Sequence, residues 1–376
     1  MRHSKVHWLW RDRTAPTRFR TGLSLHSHSL HSEENLGFIP RYTAGIPFVT
    51  SAIRRQEVRY RELTGRTLDF SRGFWRPPLS AHEAFDLERR QIEGSLDLSP
   101  LVSLSDHDNI QAGSMLRVVE PDAPVSVEWT IPFRPSFFHL GVHNLPPSQA
   151  HGIMSGLREF TSNPSRSRLA ELLASLHELR EVLIVMNHPL WDEARIGALE
   201  HAQLVGRFLE RFGEHVHALE LNGLRPWREN RRVIWLAEHS GHALVSGGDR
   251  HGMEPNANVN LSNTRTFAEF VSEVREEGIS DILFMPQYRE AWRVRMIETM
   301  VDVVRYYPDL PAGRRRWSDR VFYTEDDGSV KPLSAYWQGD EPWPVKCFLG
   351  GLRAVTSRQV RAALRVALAD PQEVPA

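Results

Sequence analysis

Short apolar runs alternate with amphipathic helical segments along most of the chain. The runs of strand length are GLSLH (22–26), LVSLSD (101–106), VSVEWTI (125–131), FFHLGV (137–142), VLIVMN (182–187), HALEL (217–221), HALVSG (242–247) and DILFM (281–285). Between runs, as in 164–180, apolar residues recur at the spacing of a helix with one buried face. Strands alternating with helices are typical of βα units around a largely parallel sheet, so the pattern predicts an α/β fold.

Several predicted helices carry start and stop signals. Asn163 is the predicted cap of 164–180, and Pro164 lies in its first turn. Gly241 and Gly278 directly follow the segments 229–240 and 266–277. Glycine readily adopts the left-handed conformation that ends a helix, so both segments are predicted to stop there.

Two parts of the chain depart from this alternation. Residues 37–99 separate the first two runs by far more than a βα connection needs, and Ser80-x-x-Glu83 predicts a helix inside them. Beyond residue 290 we expect a long helix, a Pro- and Trp-rich stretch and a short amphipathic helix from about 357 to 368. The predicted domains are a basic N-terminal extension (1–20), a barrel (21–290) with a pocket-shaping insert (37–99), and a C-terminal extension (291–376) packed on its exterior.

Composition narrows the class of protein. The chain has 376 residues, 41% hydrophobic and 25% charged, as in ordinary globular proteins. A net charge of −1 argues against a globally basic nucleic-acid-binding protein. The single cysteine, Cys347, permits neither a disulfide framework nor a thiolate zinc site. Without a signal-peptide core or a run of about 18 apolar residues, we expect a cytoplasmic protein that does not bind a membrane.

Residues able to bind metals gather at the ends of the apolar runs. His26 and His28 close the first run, and because strand side chains alternate, both face the same side. The others on or beside later runs are Asp106, His107, Glu128, His139, His188, Asp249 and His251. In a βα barrel the carboxyl ends of the strands converge on one mouth. The sequence therefore predicts a metal site assembled from several separate strands.

The motifs that carry these residues resemble those of a known family. LHSHSLHSEEN, SLSDHD, VEWT, HLG, NHP and SGGDRH occur in order within about residues 21–255. They resemble the ordered motifs of the PHP (polymerase and histidinol phosphatase) family. The resemblance implies a distorted (β/α)7 TIM-like barrel that hydrolyses phosphoesters with two or three divalent metal ions.

The resemblance also implies which residues hold each ion. The first ion would be bound by His26, His28, Glu128 and Asp249, and Glu128 would bridge to a second ion held by His139 and His188. A third would be bound by Glu33, His107 and His251. Glu33 stands where the family usually has Asp or His, and His31 and Glu34 are close enough to replace it, as His143 is for His139. Imidazole and carboxylate ligands suit zinc, manganese or iron(II) without selecting among them.

A catalytic scheme follows from this resemblance. We expect a metal-held hydroxide near Glu128 to attack phosphorus in a small phosphorylated substrate or nucleotide, with Glu128, Asp249 and Asp106 as catalytic residues. Asp106 and Glu220 are also predicted to orient ligand imidazoles. The predicted substrate-binding residues are Arg41, Arg134 and Arg225. Arg250 lies between two ligands and is expected to face the other side of its strand.

Three other interpretations are compatible with the sequence. An amidohydrolase-type enzyme also opens with HxH and cleaves C–N bonds, but it commonly bridges its metals with a modified lysine, and no lysine lies near a predicted strand end of the barrel. A metal-stabilised regulatory module without turnover would need only about four ligands. The basic run 314–316 and the N-terminal arm suggest a nucleic-acid contact, although such runs are usually only solvated.

Overall fold

The computed structural model describes residues 3–44, 47–337, 343–355 and 360. The strands are β1 (His3–Trp8), β2 (Thr21–Ser27), β3 (Glu34–Asn35), β4 (Gly73–Trp75), β5 (Ser99–Leu104), β6 (Val125–Phe133), β7 (Ser136–Leu145), β8 (Leu183–Met186), β9 (Ala218–Asn222), β10 (Ala243–Gly247), β11 (Asn258–Ser262), β12 (Ile279–Phe284), β13 (Val321–Thr324) and β14 (Val330–Pro332). The helices are α1 (Ile39–Thr43), α2 (Pro47–Thr64), α3 (Ala81–Leu96), α4 (Gln111–Leu116), α5 (Ala150–Ser162), α6 (Arg166–Glu178), α7 (Ala198–Phe212), α8 (Trp227–Ser240), α9 (Phe267–Ser272), α10 (Trp292–Val304), α11 (Trp317–Arg320), α12 (Leu333–Tyr336) and α13 (Trp343–Val355). The helix expected at 357–368 falls outside these residues, apart from Val360.

The strands form three sheets in a mixed α/β fold. One five-stranded sheet has the order β1-β12-β11-β2-β5 and another the order β10-β9-β8-β7-β6. Among the described residues, the two are joined by isolated bridges, Ser27 with Arg250 and His107 with Glu128, rather than by continuous strand pairing. The described strands therefore do not show the closed ring that a TIM-like barrel requires.

The expectation of a largely parallel sheet is wrong for part of the fold. β6, β7 and β8 pair in an antiparallel manner, and β11 is antiparallel to both of its neighbours. β11 does not stand out in the sequence because polar residues occupy every second position, although all five of its residues are buried. Asn258 donates to the Leu221 carbonyl, and the Asn260 side chain bonds the backbone and hydroxyl of Ser246.

The N-terminal segment contributes a strand that the sequence did not predict. β1 pairs in parallel with β12, and the Trp8 ring stacks on Phe284 at a centroid distance of 4.8 Å. Residues 3–8, which we expected to belong to an extension, are therefore part of the first sheet.

Helices cover the outer face of the second sheet and build its core. The capping and stop signals hold at Ser80, whose side chain caps α3, and at Gly241, which ends α8 in the left-handed conformation. In α6 the cap is Ser165 rather than Asn163. Trp129 of β6 is fully buried against Phe160 of α5, and burial of each such side chain stabilises the fold by about 2–3 kcal/mol.

The third sheet has the order β14-β13-β4-β3 and combines two C-terminal strands with β4 of the insert and β3, which precedes the insert. The Phe74 and Phe322 rings stack between β4 and β13, and Arg314 forms an ion pair with Glu83 of α3. The described C-terminal residues thus pack on the insert as well as on the rest of the molecule. No helix among the described residues is long and apolar enough to cross a membrane.

Candidate metal centre

The structure brings eight of the nine predicted ligands, together with Glu34, to one buried place between the two larger sheets. The residues form four groups, and within each group the ligand atoms all lie within 4.8 Å of one another. They are His26–Glu128–His188, His26–His28–Asp249, His107–Glu128–His139 and His28–Glu34–His107–His251. These residues come from six separate stretches of the chain, so the clustering is a property of the fold and not of local sequence.

The carboxylate of Glu128 is the centre of the arrangement. Its Oε2 lies 3.1 Å from His26 Nε2, 3.3 Å from His28 Nε2 and 3.3 Å from His107 Nδ1. Its Oε1 lies 3.4 Å from His139 Nδ1 and 3.2 Å from His188 Nε2. Each of the two oxygens of this carboxylate therefore faces its own set of imidazoles.

Three of the grouped residues have left-handed backbone conformations. The φ angles are +62° at His26, +27° at His188 and +54° at Asp249. Such conformations cost a non-glycine residue roughly 1–2 kcal/mol and persist where the surrounding structure enforces them, often at functional sites. The strand ends are therefore bent at the points where these side chains enter the centre.

Glu220 fixes the orientation of two ligands. Its Oε1 lies 2.5 Å from His26 Nδ1, and its Oε2 accepts a 2.6 Å hydrogen bond from the backbone N–H of His188. A proton on His26 Nδ1 leaves Nε2 free to coordinate, which is the usual arrangement for a histidine ligand with an outer carboxylate.

Glu34, and not Glu33, joins the centre. The Glu34 carboxylate lies 3.1 Å from His107 Nε2 and 3.2 Å from His251 Nε2, and it accepts a hydrogen bond from Ser32. Glu33 instead forms a 2.6 Å ion pair with Arg76 and is half exposed. The structure therefore places Glu34, rather than the predicted Glu33, among the ligand groups, because the Glu33 side chain turns outward to Arg76.

Asp106 lies outside the four groups. Its two oxygens accept hydrogen bonds from the backbone and hydroxyl of Ser29, at 2.5 and 2.7 Å. Burial raises the pKa of Asp106 to about 6. Asp106 thus holds the turn after His28 in place and lies outside the ligand groups, and its catalytic role stays a prediction.

Two of the three predicted substrate-binding arginines lie on the surface. Arg134 is exposed in the β6–β7 turn, about 20 Å along the strand from Glu128 at 3.3 Å per residue. Arg41 is exposed, and its guanidinium reaches the Ala194 carbonyl at 3.4 Å. Neither position supports the predicted role.

Arg225 is different from the other two. It is buried, and its guanidinium carbon lies 3.8 Å from the centre of the Trp191 ring. Its Nε and Nη1 atoms have no hydrogen-bond partner among the described residues. Trp191 in turn lines a small cavity together with His139 and His188, so Arg225 packs on a neighbour of the centre.

Sequence reasoning missed two polar residues at the centre. Asn187 donates a 3.0 Å hydrogen bond to Glu128 Oε1, and the NHP motif that contains it was a usable signal. Glu193 lines a small cavity with His139 and His188, and burial raises its pKa. His143, the alternative to His139, points away, because its Nδ1 bonds Ser103 at 2.8 Å in the core.

Burial and charge set the ionisation of the groups. Burial lowers the pKa of His28 and of His139 to about 3, which keeps both imidazoles neutral and able to coordinate. Burial alone would raise the pKa of Glu128, but His26, His107 and His139 hold it well below its usual range. Burial alone would lower the pKa of the other four imidazoles too, but nearby carboxylates outweigh it and raise the pKa of His26, His107, His188 and His251.

The donor atoms fit divalent metal ions. His26 Nε2, His28 Nε2 and Glu128 Oε2 are buried, face one another, and have no hydrogen-bond partner among the described residues. Leaving buried polar atoms unpaired costs about 1–3 kcal/mol each. A cation among them would satisfy all three, and nitrogen and oxygen donors of this kind suit zinc, manganese or iron.

Two glycines make room for the groups that support the centre. A Cβ on Gly247 would lie 1.6 Å from Glu220 Oε1, and one on Gly248 would lie 1.7 Å from the Asn256 side chain. Any larger residue would displace these side chains, so SGGD is needed for close packing behind the ligands.

Comparison with known proteins gives only distant similarity. No protein-family profile and no curated protein matches the chain. The chain is similar to a solved amidohydrolase from Chromobacterium violaceum with bound sulfate and no metal (16% identity, 46% of this chain, 83% of that one, TM-score 0.31). It is also similar to a Bifidobacterium adolescentis protein proposed to be a metal-dependent phosphoesterase (14% identity, 53% of this chain, 91% of that one, TM-score 0.32). A third similar structure is PsfC from Pseudomonas syringae (16% identity, 58% of this chain, 88% of that one, TM-score 0.37).

Proposed function

We propose that this chain is a metal-dependent phosphoesterase of the PHP type, acting on a small phosphorylated substrate or nucleotide. The observation that carries the proposal is the position of Glu128, a buried carboxylate within 3.4 Å of five imidazoles. A shared carboxylate between imidazole sets is suited to a centre with more than one ion, and paired ions are well suited to phosphoryl transfer.

The grouped side chains would form three ion-binding positions. His26, His28, Asp249 and Glu128 would hold one ion, and Glu128 with His139 and His188 a second. Glu34, His107 and His251 would hold a third. When bound, the ions supply Lewis acidity, which activates water and offsets charge on phosphoryl oxygens. The directions of the donor side chains are fixed through Glu220, Asn187 and Asp106.

Exposure indicates where a substrate would approach. The side chains of His26, His28 and Glu128 are at most 1% exposed, whereas those of Glu34, His107 and His251 are 15–18% exposed. The Glu34 side is therefore the open side. Arg225 packs on Trp191, and two of its donors have no partner in the part of the chain that the structure describes; it is the arginine we propose to bind substrate oxygens.

The lysine content favours this proposal over an amidohydrolase. The chain has three lysines, Lys5, Lys331 and Lys346, and all are exposed. The place where an amidohydrolase commonly has a modified lysine is here filled by a carboxylate, Glu128. Hydrolysis of a C–N bond and release of ammonia is the alternative outcome that the experiment below distinguishes.

The first test is turnover of a substrate panel. Protein purified without chelator and supplied with zinc, manganese or iron(II) should release phosphate from phosphomonoesters, diesters or nucleotides. Glu128→Gln should lower kcat by about 10³-fold or more, because one shared ligand is lost, while circular dichroism stays unchanged. Glu171→Gln, an exposed carboxylate on α6, is the matched control and should keep full activity.

Two results would overturn the proposal. The first is a Glu128→Gln protein with wild-type phosphate release. The second is a wild-type protein that binds metal but hydrolyses no phosphoester, which would favour the regulatory module, or the amidohydrolase if ammonia is released.

A further inference from the structure

Glu88 is a fully buried carboxylate on helix α3 of the insert, outside the candidate metal centre. Its Oε1 accepts a 2.9 Å hydrogen bond from Arg250 Nε, and its Oε2 accepts one of 2.8 Å from Ser24 Oγ. Both oxygens lie 3.1 Å from the backbone nitrogen of Asn256. This carboxylate therefore accepts hydrogen bonds from three separate segments of the chain, at Ser24, Arg250 and Asn256.

Those segments lie next to candidate ligands. Arg250 is the residue between Asp249 and His251, and as expected its side chain faces away from them, toward Glu88. Its remaining donors bond the Gly252 carbonyl at 2.8 Å and the His28 carbonyl at 3.1 Å. One guanidinium thus joins the insert, the His26–His28 turn and the Asp249–His251 turn.

Asn256 makes the connection a closed network. While its backbone N–H bonds Glu88, its side-chain amide donates to Ser24 Oγ, to the Leu25 carbonyl and to Ser27 Oγ at 2.8–3.0 Å. The two ligand turns also bond each other directly, from Asp249 N to the His26 carbonyl (2.7 Å) and from His28 N to the Arg250 carbonyl (3.0 Å). These bonds set the separation of the two turns. Glu88 is the carboxylate that accepts hydrogen bonds from residues on both sides of this contact, Ser24 on one side and Arg250 on the other.

We propose that Glu88 is a positioning residue for the metal centre. It fixes the distance between the turn that carries His26 and His28 and the turn that carries Asp249 and His251, and it ties that distance to the insert. The proposal rests on the metal centre put forward above, but not on the nature of the substrate. Outer groups that orient ligands typically change metal affinity by 10–100-fold when they are altered.

The substitution Glu88→Gln keeps the shape and removes the charge. A glutamine amide cannot accept from Arg250, Ser24 and Asn256 together, and the guanidinium stays buried without its counter-ion. The matched control is Glu93→Gln, an exposed carboxylate on the same helix. A second variant, Glu88→Met with Arg250→Met, removes both charges and so avoids leaving one of them buried alone.

The experiment measures zinc affinity of full-length, metal-stripped protein by competition with a fluorescent chelator, with circular dichroism as a check on folding. We expect Glu88→Gln and the double variant to bind at least one zinc ion 10–100-fold more weakly than wild type, and Glu93→Gln to bind as wild type does. The double variant gives this readout even if the single one does not fold.

Wild-type zinc affinity in a folded Glu88→Gln protein, or in the double variant, would overturn the inference. Because no substrate is used, this result is separate from a failure to hydrolyse phosphoesters. A wild-type protein without esterase activity whose zinc affinity still depends on Glu88 would refute the proposed function and support the positioning role.

Discussion

At the scale of single residues, the candidate centre depends on which way each side chain faces. Glu34 faces His107 and His251, while Glu33 faces Arg76 on the outside. Both are glutamates in one short stretch, so composition alone does not separate them. Only the start of β3 and its pairing with β4 determine which carboxylate enters the centre.

The pair Glu33 and Glu34 therefore provides a direct test. We expect Glu34→Gln to remove about one metal ion per chain, because an ionised carboxylate facing two imidazoles becomes a neutral amide. Glu33→Gln should retain wild-type metal content and activity, losing only an ion pair at the surface worth less than about 1 kcal/mol. Elemental analysis of both variants measures this, and equal metal loss in the two would contradict the placement of Glu34.

His143 gives a pH prediction that does not involve a ligand. Burial lowers its pKa to about 3, whereas the unfolded chain titrates near 6.5. Between these two pH values the unfolded state therefore binds a proton that the folded state does not bind. The free energy of unfolding is consequently highest above pH 6.5 and decreases as the pH is lowered from there toward about 3.

The measurement compares wild type with His143→Asn by urea unfolding. Between pH 7 and 5.5 the wild-type free energy of unfolding should fall by about 1 kcal/mol more than that of the variant. A difference between the two proteins that does not change with pH would show that His143 is not held neutral.

Some residues at this scale were predictable and others were not. The HxH pair and the order of later motifs are visible because strand ends carry them. Glu88 had a signal that was not used: with Ala84 and Ile92 it recurs at i, i+4 and i+8 on the buried face of α3, where a charge needs a partner. Glu193 had none, since only the folded loop brings it beside His188.

At the scale of elements, apolar runs predicted eight strands because those strands have buried apolar faces. β11 escaped prediction because Asn258 and Asn260 are buried through hydrogen bonds rather than through apolar contact. The third sheet also escaped, since its strands have two to four residues each and come from distant segments. Glu34 nevertheless belongs to that sheet, so the C-terminal segment supports the open side of the centre.

This dependence predicts the effect of a substitution far from the centre in sequence. Phe322→Ala in β13 removes the ring that stacks on Phe74, which should lower the free energy of unfolding by roughly 1–3 kcal/mol. Through β4 and β3 it should also reduce metal binding at the Glu34 group. The control is Tyr306→Ala, an exposed aromatic residue. If a destabilised Phe322→Ala protein kept its full metal content, the third sheet would not support metal binding at the centre.

At the scale of the whole molecule, ligands spread over more than two hundred residues meet between two sheets. The sequence indicated that the strand ends converge, and convergence follows from any packing that places those ends together. It did not indicate the antiparallel pairing of β6, β7 and β8, because periodicity identifies strands but not their partners. The expectation of a ring of parallel strands came from the alternation of elements, which two partly antiparallel sheets satisfy equally well.

The most direct test of the central claim is the metal content of wild-type protein, measured by inductively coupled plasma mass spectrometry after purification without chelator and again after saturation with zinc, manganese or iron(II). A metal centre of the proposed kind should hold two or three divalent ions tightly per chain, with fewer in Glu128→Gln. Less than one ion per chain under every loading condition would contradict the central claim.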